Sequence, residues 1–265
     1  MPAKREKIFN IPPVILTLLV VLFAIQALCD WLSPEQFLRL LQNFSFVPGR
    51  FTFQIDPDRV TDVLNALARE DELKMQAALF FLNNGEPHYW TVLTYAFLHG
   101  GWAHVGMNGL WFGAFGSAVA RRFGSGRFLL FCAGGAIAGA FMHFLTHMAD
   151  LQPIVGASAV VSAAMAAAIR FVFQPGAPLG GTLGFSDVEG DDLYRQPALP
   201  LRDVFSDRQA LTFLAFWFLS NFLFGVMPGS LGLTDATIAW EAHIGGFLFG
   251  LIAFRWFDPS AKIVH

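Results

Sequence analysis

Stretches without Asp, Glu, Lys or Arg occupy residues 8–29, 87–120, 128–149, 151–169 and 209–234, and a sixth at 236–254 is broken only by Glu241. A helix needs about 20 apolar residues to cross a bilayer. The pattern therefore predicts six spans, at 9–29, 101–120, 128–148, 152–170, 209–227 and 237–256. Lys4, Arg5 and Lys7 before the first stretch resemble the head of a signal peptide. That stretch is long, and Gln26 and Leu28 make a poor cleavage site, so it is expected to stay as a helix. Residues 31–98 form a long first loop on the outer side. Within it Val60, Val63, Leu64 and Leu67 keep helical spacing among acidic and basic neighbours, which predicts one amphipathic helix on the membrane or the bundle. Residues 174–208, Gly/Pro-rich and polar, are expected to be a disordered cytoplasmic loop. No repeat divides the chain, so residues 1–265 are expected to be one domain.

Composition agrees with the patterning. The 265 residues are 55% hydrophobic and 14% charged, with a mean hydropathy of +0.51. This puts the chain in the membrane class. A net charge of −3 leaves no basic footprint for nucleic acid. An even number of spans puts both termini on one side. With the termini inside, twelve Lys and Arg face the cytoplasm, the outer five all lie in the long first loop, and the short outer turns carry none. That is the positive-inside bias. The expectation is a multi-pass integral protein with cytoplasmic ends, of the inner (plasma) membrane if the chain is bacterial. Cys29 and Cys132 fall near opposite faces and are expected to be unpaired. Nothing in the sequence sets an oligomeric state.

Polar groups at membrane depth are costly and mark function by default. Ser158 lies twelve residues before Arg170, and His243 twelve before Arg255, which puts both ~18 Å above the inner edge. Asn108 lies thirteen before Arg121, at ~20 Å. Three polar residues on three predicted spans thus share one level. Ser158, Ser162 and Ala166 form a small-residue stripe, and His243, Gly246 and Gly250 form another. Two such faces in contact would press the hydroxyl against the imidazole. A serine becomes nucleophilic beside a base, and histidine serves at neutral pH. His104 and Asn108, four apart, share a face of the second span. Glu241 lies two residues before His243, on another side of the helix, so a dyad is expected rather than a triad. His143 and His147 stand ~24 and ~30 Å above Arg127. They could chelate a metal, but a surface pair is the expectation.

The segments "HGGWAHVGMNGLWFGAFG" at 99–116, "ARRFGSGR" at 120–127, "GAS" at 156–158 and "AHIGG" at 242–246 resemble the rhomboid family of intramembrane serine proteases. The resemblance implies an all-α membrane protein with a six-helix rhomboid-like bundle. It implies Ser158 as nucleophile and His243 as general base. His104, Asn108 and the Ser158 backbone N–H would form the oxyanion hole. It also implies cleavage of transmembrane or juxtamembrane segments of membrane proteins, with no cofactor and no metal. Where relatives often have Gly, an aromatic residue, Trp-Arg and Glu, this chain has Ala159, Ser162, Trp90-Thr91 and Ala120. Two other readings compete. One is an inactive relative that binds membrane-protein helices, a class that typically lacks the serine or the histidine. The other is a metal-dependent membrane enzyme or transporter built on the histidines, which would be sensitive to chelators and indifferent to Ser158→Ala.

Overall fold

The computed structural model describes residues 11–179, 190–226 and 239–259, with backbone alone for 190–192 and 221–226. The basic residues before position 11, Lys262, the 180–189 part of the inner loop, and the turn at 227–238 with the ends of the two flanking spans lie outside the described residues.

Proline and side-chain caps start most of the early helices. α1 (Pro13–Trp31) and α3 (Pro48–Phe53) each begin with proline in the first turn, where its missing N–H is not needed. α2 (Pro34–Phe44) is opened by a capping box between Ser33 and Gln36. Asp56 caps α4 (Pro57–Glu70), and Asp71 caps α5 (Glu72–Leu82). A short α6 (Thr91–Thr94) follows. α7 (Trp102–Trp111) passes through a π-helical turn at Phe112–Gly116 into α8 (Ser117–Phe123). α9 is Ser125–Thr146, α10 Ser158–Ala168, α11 Leu201–Val204, α12 Arg208–Val226 and α13 Trp240–Phe257. The described residues are all-α, with no strand and a single antiparallel bridge between Phe46 and Ile154. By length and apolarity, α1 and α9 suffice to cross a membrane, and α10 is a shorter apolar helix.

The first loop is far more structured than its sequence pattern suggested. Its amphipathic helix is α4, and Val60 is buried against Val47, Ala78, Phe81, Leu82 and Leu151, with Leu64 and Leu67 packed on them. Arg50 is buried beneath this unit, and its Nε donates to the Phe81 carbonyl. Burial pulls its pKa down to about 10, so it keeps its charge at neutral pH. The unit grips the stretch that leads into α10. Phe46 and Ile154 exchange backbone hydrogen bonds of 3.2 and 2.9 Å, and Gly49 N–H donates to the Asp150 carbonyl at 2.8 Å.

Three helices form the centre. α13 lies between α9 and α10, and glycines let the backbones touch. A Cβ on Gly245 would overlap the Ala138 carbonyl oxygen of α9. On Gly246 and Gly250 it would overlap the carbonyls of Ala159 and Ala163 on α10. Both contacts to α10 have the same offset of 87 residues, so the two helices run parallel and in register.

The end of the bundle where α8 and α10 finish is closed by two buried arginines. Arg122 makes a two-pronged pair with Asp258, Nε to Oδ1 at 3.0 Å and Nη2 to Oδ2 at 2.8 Å. Its Nη1 donates to the carbonyls of Tyr194 and Gln196, while Arg170 donates to those of Leu199 and Leu251. The described part of the inner loop expected to be disordered is therefore held, because its carbonyls satisfy buried guanidiniums. Asp258→Ala would leave Arg122 charged and half-satisfied. Breaking such a buried pair costs about 3 kcal/mol, and the expected result is a clearly lowered Tm in detergent, with Arg122→Ala no better.

Candidate active site

The expected fourth span was 152–170, yet the helix starts only at Ser158. Pro153 and the geometry of Gly156 account for the delay. Gly156 has φ +128°, a conformation that a side chain would strain, and its N–H donates to the Tyr95 carbonyl at 3.0 Å. The next N–H, of Ala157, donates to His99 Nε2 at 3.3 Å. Ser158 thus sits on the first helical turn, where backbone N–H groups have no partner within the helix. Two clamped peptides just upstream hold it in place.

His104 reaches the same spot from α7. Gly100 N–H donates to its Nδ1 at 3.3 Å, which assigns the ring proton to Nε2. A Cβ on Gly156 would lie 2.8 Å from His104 Nε2 and 3.7 Å from Ser158 Oγ. The missing side chain therefore leaves a space shared by a hydroxyl and an N–H donor. Asn108 lies one turn further along α7, buried, and its side-chain nitrogen has no hydrogen-bond partner. Val105, between them, packs with Ala157 and Leu22. An unpaired buried donor costs stability unless it serves something else.

His243 enters from α13. It lies one turn before Gly246 on the helix, so the 87-residue offset puts it level with position 156. It is half-buried, and the His104 and His243 rings lie within electrostatic reach of each other. Ser158, His104 and His243 are thus brought near the level of Gly156 by three elements, with Asn108 one turn away on α7. The arrangement offers a hydroxyl, an imidazole, and N–H donors on His104 and Asn108.

His99 lies in the loop before α7, is 3% exposed, and packs edge-on to His104 with ring centroids 5.0 Å apart. His143 is not part of a surface pair. It is 4% exposed, because the first turn of α13 covers the end of α9 and brings Glu241 against it. Glu241 had no assigned role, and it faces both histidines, with His143 Nδ1 at 3.7 Å and His147 Nε2 at 3.8 Å. Their separation along the chain carries no signal of this meeting. Ser162, one turn below Ser158, is buried as a packing residue would be. Cys29 and Cys132 are free thiols.

No curated protein sequence matches the chain closely enough to count as a relative. A family model, the Rhomboid domain, matches residues 86–257, a span that takes in the whole arrangement around Ser158 and the three-helix centre behind it. The chain belongs to the rhomboid family.

Proposed function

We propose that this chain is an active intramembrane serine endopeptidase that cuts membrane proteins in or beside their transmembrane segments, using Ser158 and His243. Rhomboid proteins are integral membrane proteins that act on membrane-protein substrates within the bilayer. The finer reading extends this to six spans in one domain, with both termini cytoplasmic and the α2–α5 unit outside. The apolar stretches at all six positions and the positive-inside bias support it.

One observation carries the catalytic reading: Ser158 Oγ and His104 Nε2 converge on the space over Gly156, with the unpartnered Asn108 amide one turn away. In the proposed reaction, His243 takes the proton from Ser158 Oγ as that oxygen attacks the scissile carbonyl carbon. Negative charge moves onto the carbonyl oxygen, which settles among His104 Nε2–H, the Asn108 amide and the Ser158 backbone N–H. Collapse breaks the C–N bond, and His243 gives its proton to the leaving amine. Water, activated by the same imidazole, then cleaves the acyl-enzyme and restores Ser158. This is triad chemistry without its carboxylate. Glu241 is turned to α9 and takes no part. The exposed Phe216, Phe218 and Leu219 of α12 offer an apolar flank to a substrate helix.

The test is cleavage of a single-span substrate in proteoliposomes, with products read by mass spectrometry. Wild type should yield fragments cut at or near the membrane, and Ser158→Ala none. An intact substrate with wild type, in the presence of folded protein, would favour the inactive relative. Removing one oxyanion donor typically costs 10²–10³-fold in kcat. We therefore expect Asn108→Ala to lower kcat about 100-fold with little change in KM, and His104→Ala to lower it at least as much.

A further inference from the structure

Outside the proposed site, a second group of polar side chains meets at the outer end of the bundle. His143 and His147 close α9, and Glu241 opens α13. One ligand atom from each lies within 4.8 Å of the others. The two rings stack 4.7 Å apart, 13° from parallel.

The contacts do not satisfy these groups on their own. At 3.7 and 3.8 Å the Glu241 oxygens are too far from the ring nitrogens for hydrogen bonds. Both nitrogens of His143 are buried with no hydrogen-bond partner. Thr146 Oγ1 lies 3.1 Å from the His143 carbonyl and 3.2 Å from that of Met142, to one of which it donates. It can then accept from His147 Nδ1–H at 2.9 Å. That tautomer leaves a bare lone pair on His147 Nε2, pointed at a carboxylate oxygen. A lone pair facing a carboxylate repels it, and either a proton on Nε2 or a metal cation between the two groups relieves this.

We propose that His143 Nδ1, His147 Nε2 and Glu241 bind one zinc-like divalent ion, which ties the outer end of α9 to the first turn of α13. Two imidazoles and a carboxylate suit zinc, and histidines four apart on a helix present both nitrogens to one ion. Tetrahedral bonds of about 2.0–2.1 Å put ligand atoms roughly 3.3 Å apart. The two separations to Glu241 need to close by about half an ångström on that geometry, and the widest of the three, within 4.8 Å, by at most about 1.5 Å. A water takes the fourth position. The hydrogen bond from His147 Nδ1 to Thr146 acts as the outer support that fixes ring and tautomer. The role is structural: the ion braces the turn that carries His243 two residues later, without entering the chemistry at Ser158.

The experiment uses the full chain, purified without a histidine tag, stripped with chelator and held in nanodiscs. Zinc binding is titrated against a competing chromophoric chelator, and Co²⁺ is added in parallel to read its visible bands. The expected result is one ion per chain, a four-coordinate cobalt spectrum, and a Tm raised by about 5 °C at zinc ~100-fold above Kd. Glu241→Gln and His147→Ala should each weaken zinc at least 10-fold and remove the cobalt bands. Thr146→Val should weaken it about 10-fold. Ser158→Ala should bind as wild type does, so the metal site and the protease reading fail or stand separately. Absence of stoichiometric binding, or unchanged affinity in Glu241→Gln, would overturn the proposal.

Discussion

His243→Ala is expected to slow substrate cleavage by about 10⁴-fold or more, in kcat rather than KM, and to leave the protein folded. The imidazole is the one base assigned to the Ser158 proton, and members of such a pair act as a unit. Losing either costs nearly as much as losing both. The double variant Ser158→Ala/His243→Ala should therefore be hardly worse than either single one. Stability should change little, because α13 is held through Gly245, Gly246 and Gly250 rather than through the half-buried ring. The measurement is initial rate against substrate concentration in proteoliposomes, with Tm followed alongside.

Gly246→Val is expected to cost more than ~3 kcal/mol and to abolish activity through the fold. Even a single Cβ at 246 would overlap the Ala159 carbonyl oxygen, which is backbone and cannot swing aside. Overpacking usually costs about 1–3 kcal/mol, more where the backbone must move. Here α13 would have to withdraw from α10, taking His243 away from Ser158. Gly126→Ala is the control, with nothing within 4 Å of its Cβ position near the start of α9. It should be neutral or slightly stabilising, since alanine is the better helix former. Thermal unfolding of the three proteins in one detergent separates the cases.

Residue spacing carries the expected level of each site residue, because position along a bundle follows from distance along a helix. Counting from Arg170, Arg255 and Arg121 put Ser158, His243 and Asn108 at one level, and the glycine stripe on 243–250 faces α10 as a small-residue stripe should. What spacing does not carry is helix rotation. Glu241 meets His143 because α13 turns its first residues toward α9, and Arg122 meets Asp258 across 136 residues. Neither pairing has a local pattern. The outer loop is a different case, since the Ser33/Gln36 box, Pro48 and the Asp71 cap were signals available in the chain. Apolar length carries none of these signals, and helical spacing of apolar residues marks only α4 within 31–98. The late start of α10 also escaped, since an apolar stretch from 151 gives no sign that Gly156 would be turned to φ +128°.

The central claim is that Ser158 Oγ is a nucleophile activated from α13, and covalent labelling tests it most directly. Purified protein is treated with a fluorophosphonate, and the modified peptide is identified by mass spectrometry. The account predicts one adduct per chain, on Ser158, absent from Ser158→Ala and formed far more slowly in His243→Ala, with cleavage lost in step. Substrate cut at the wild-type rate by Ser158→Ala, or an adduct that maps to another residue, would contradict it.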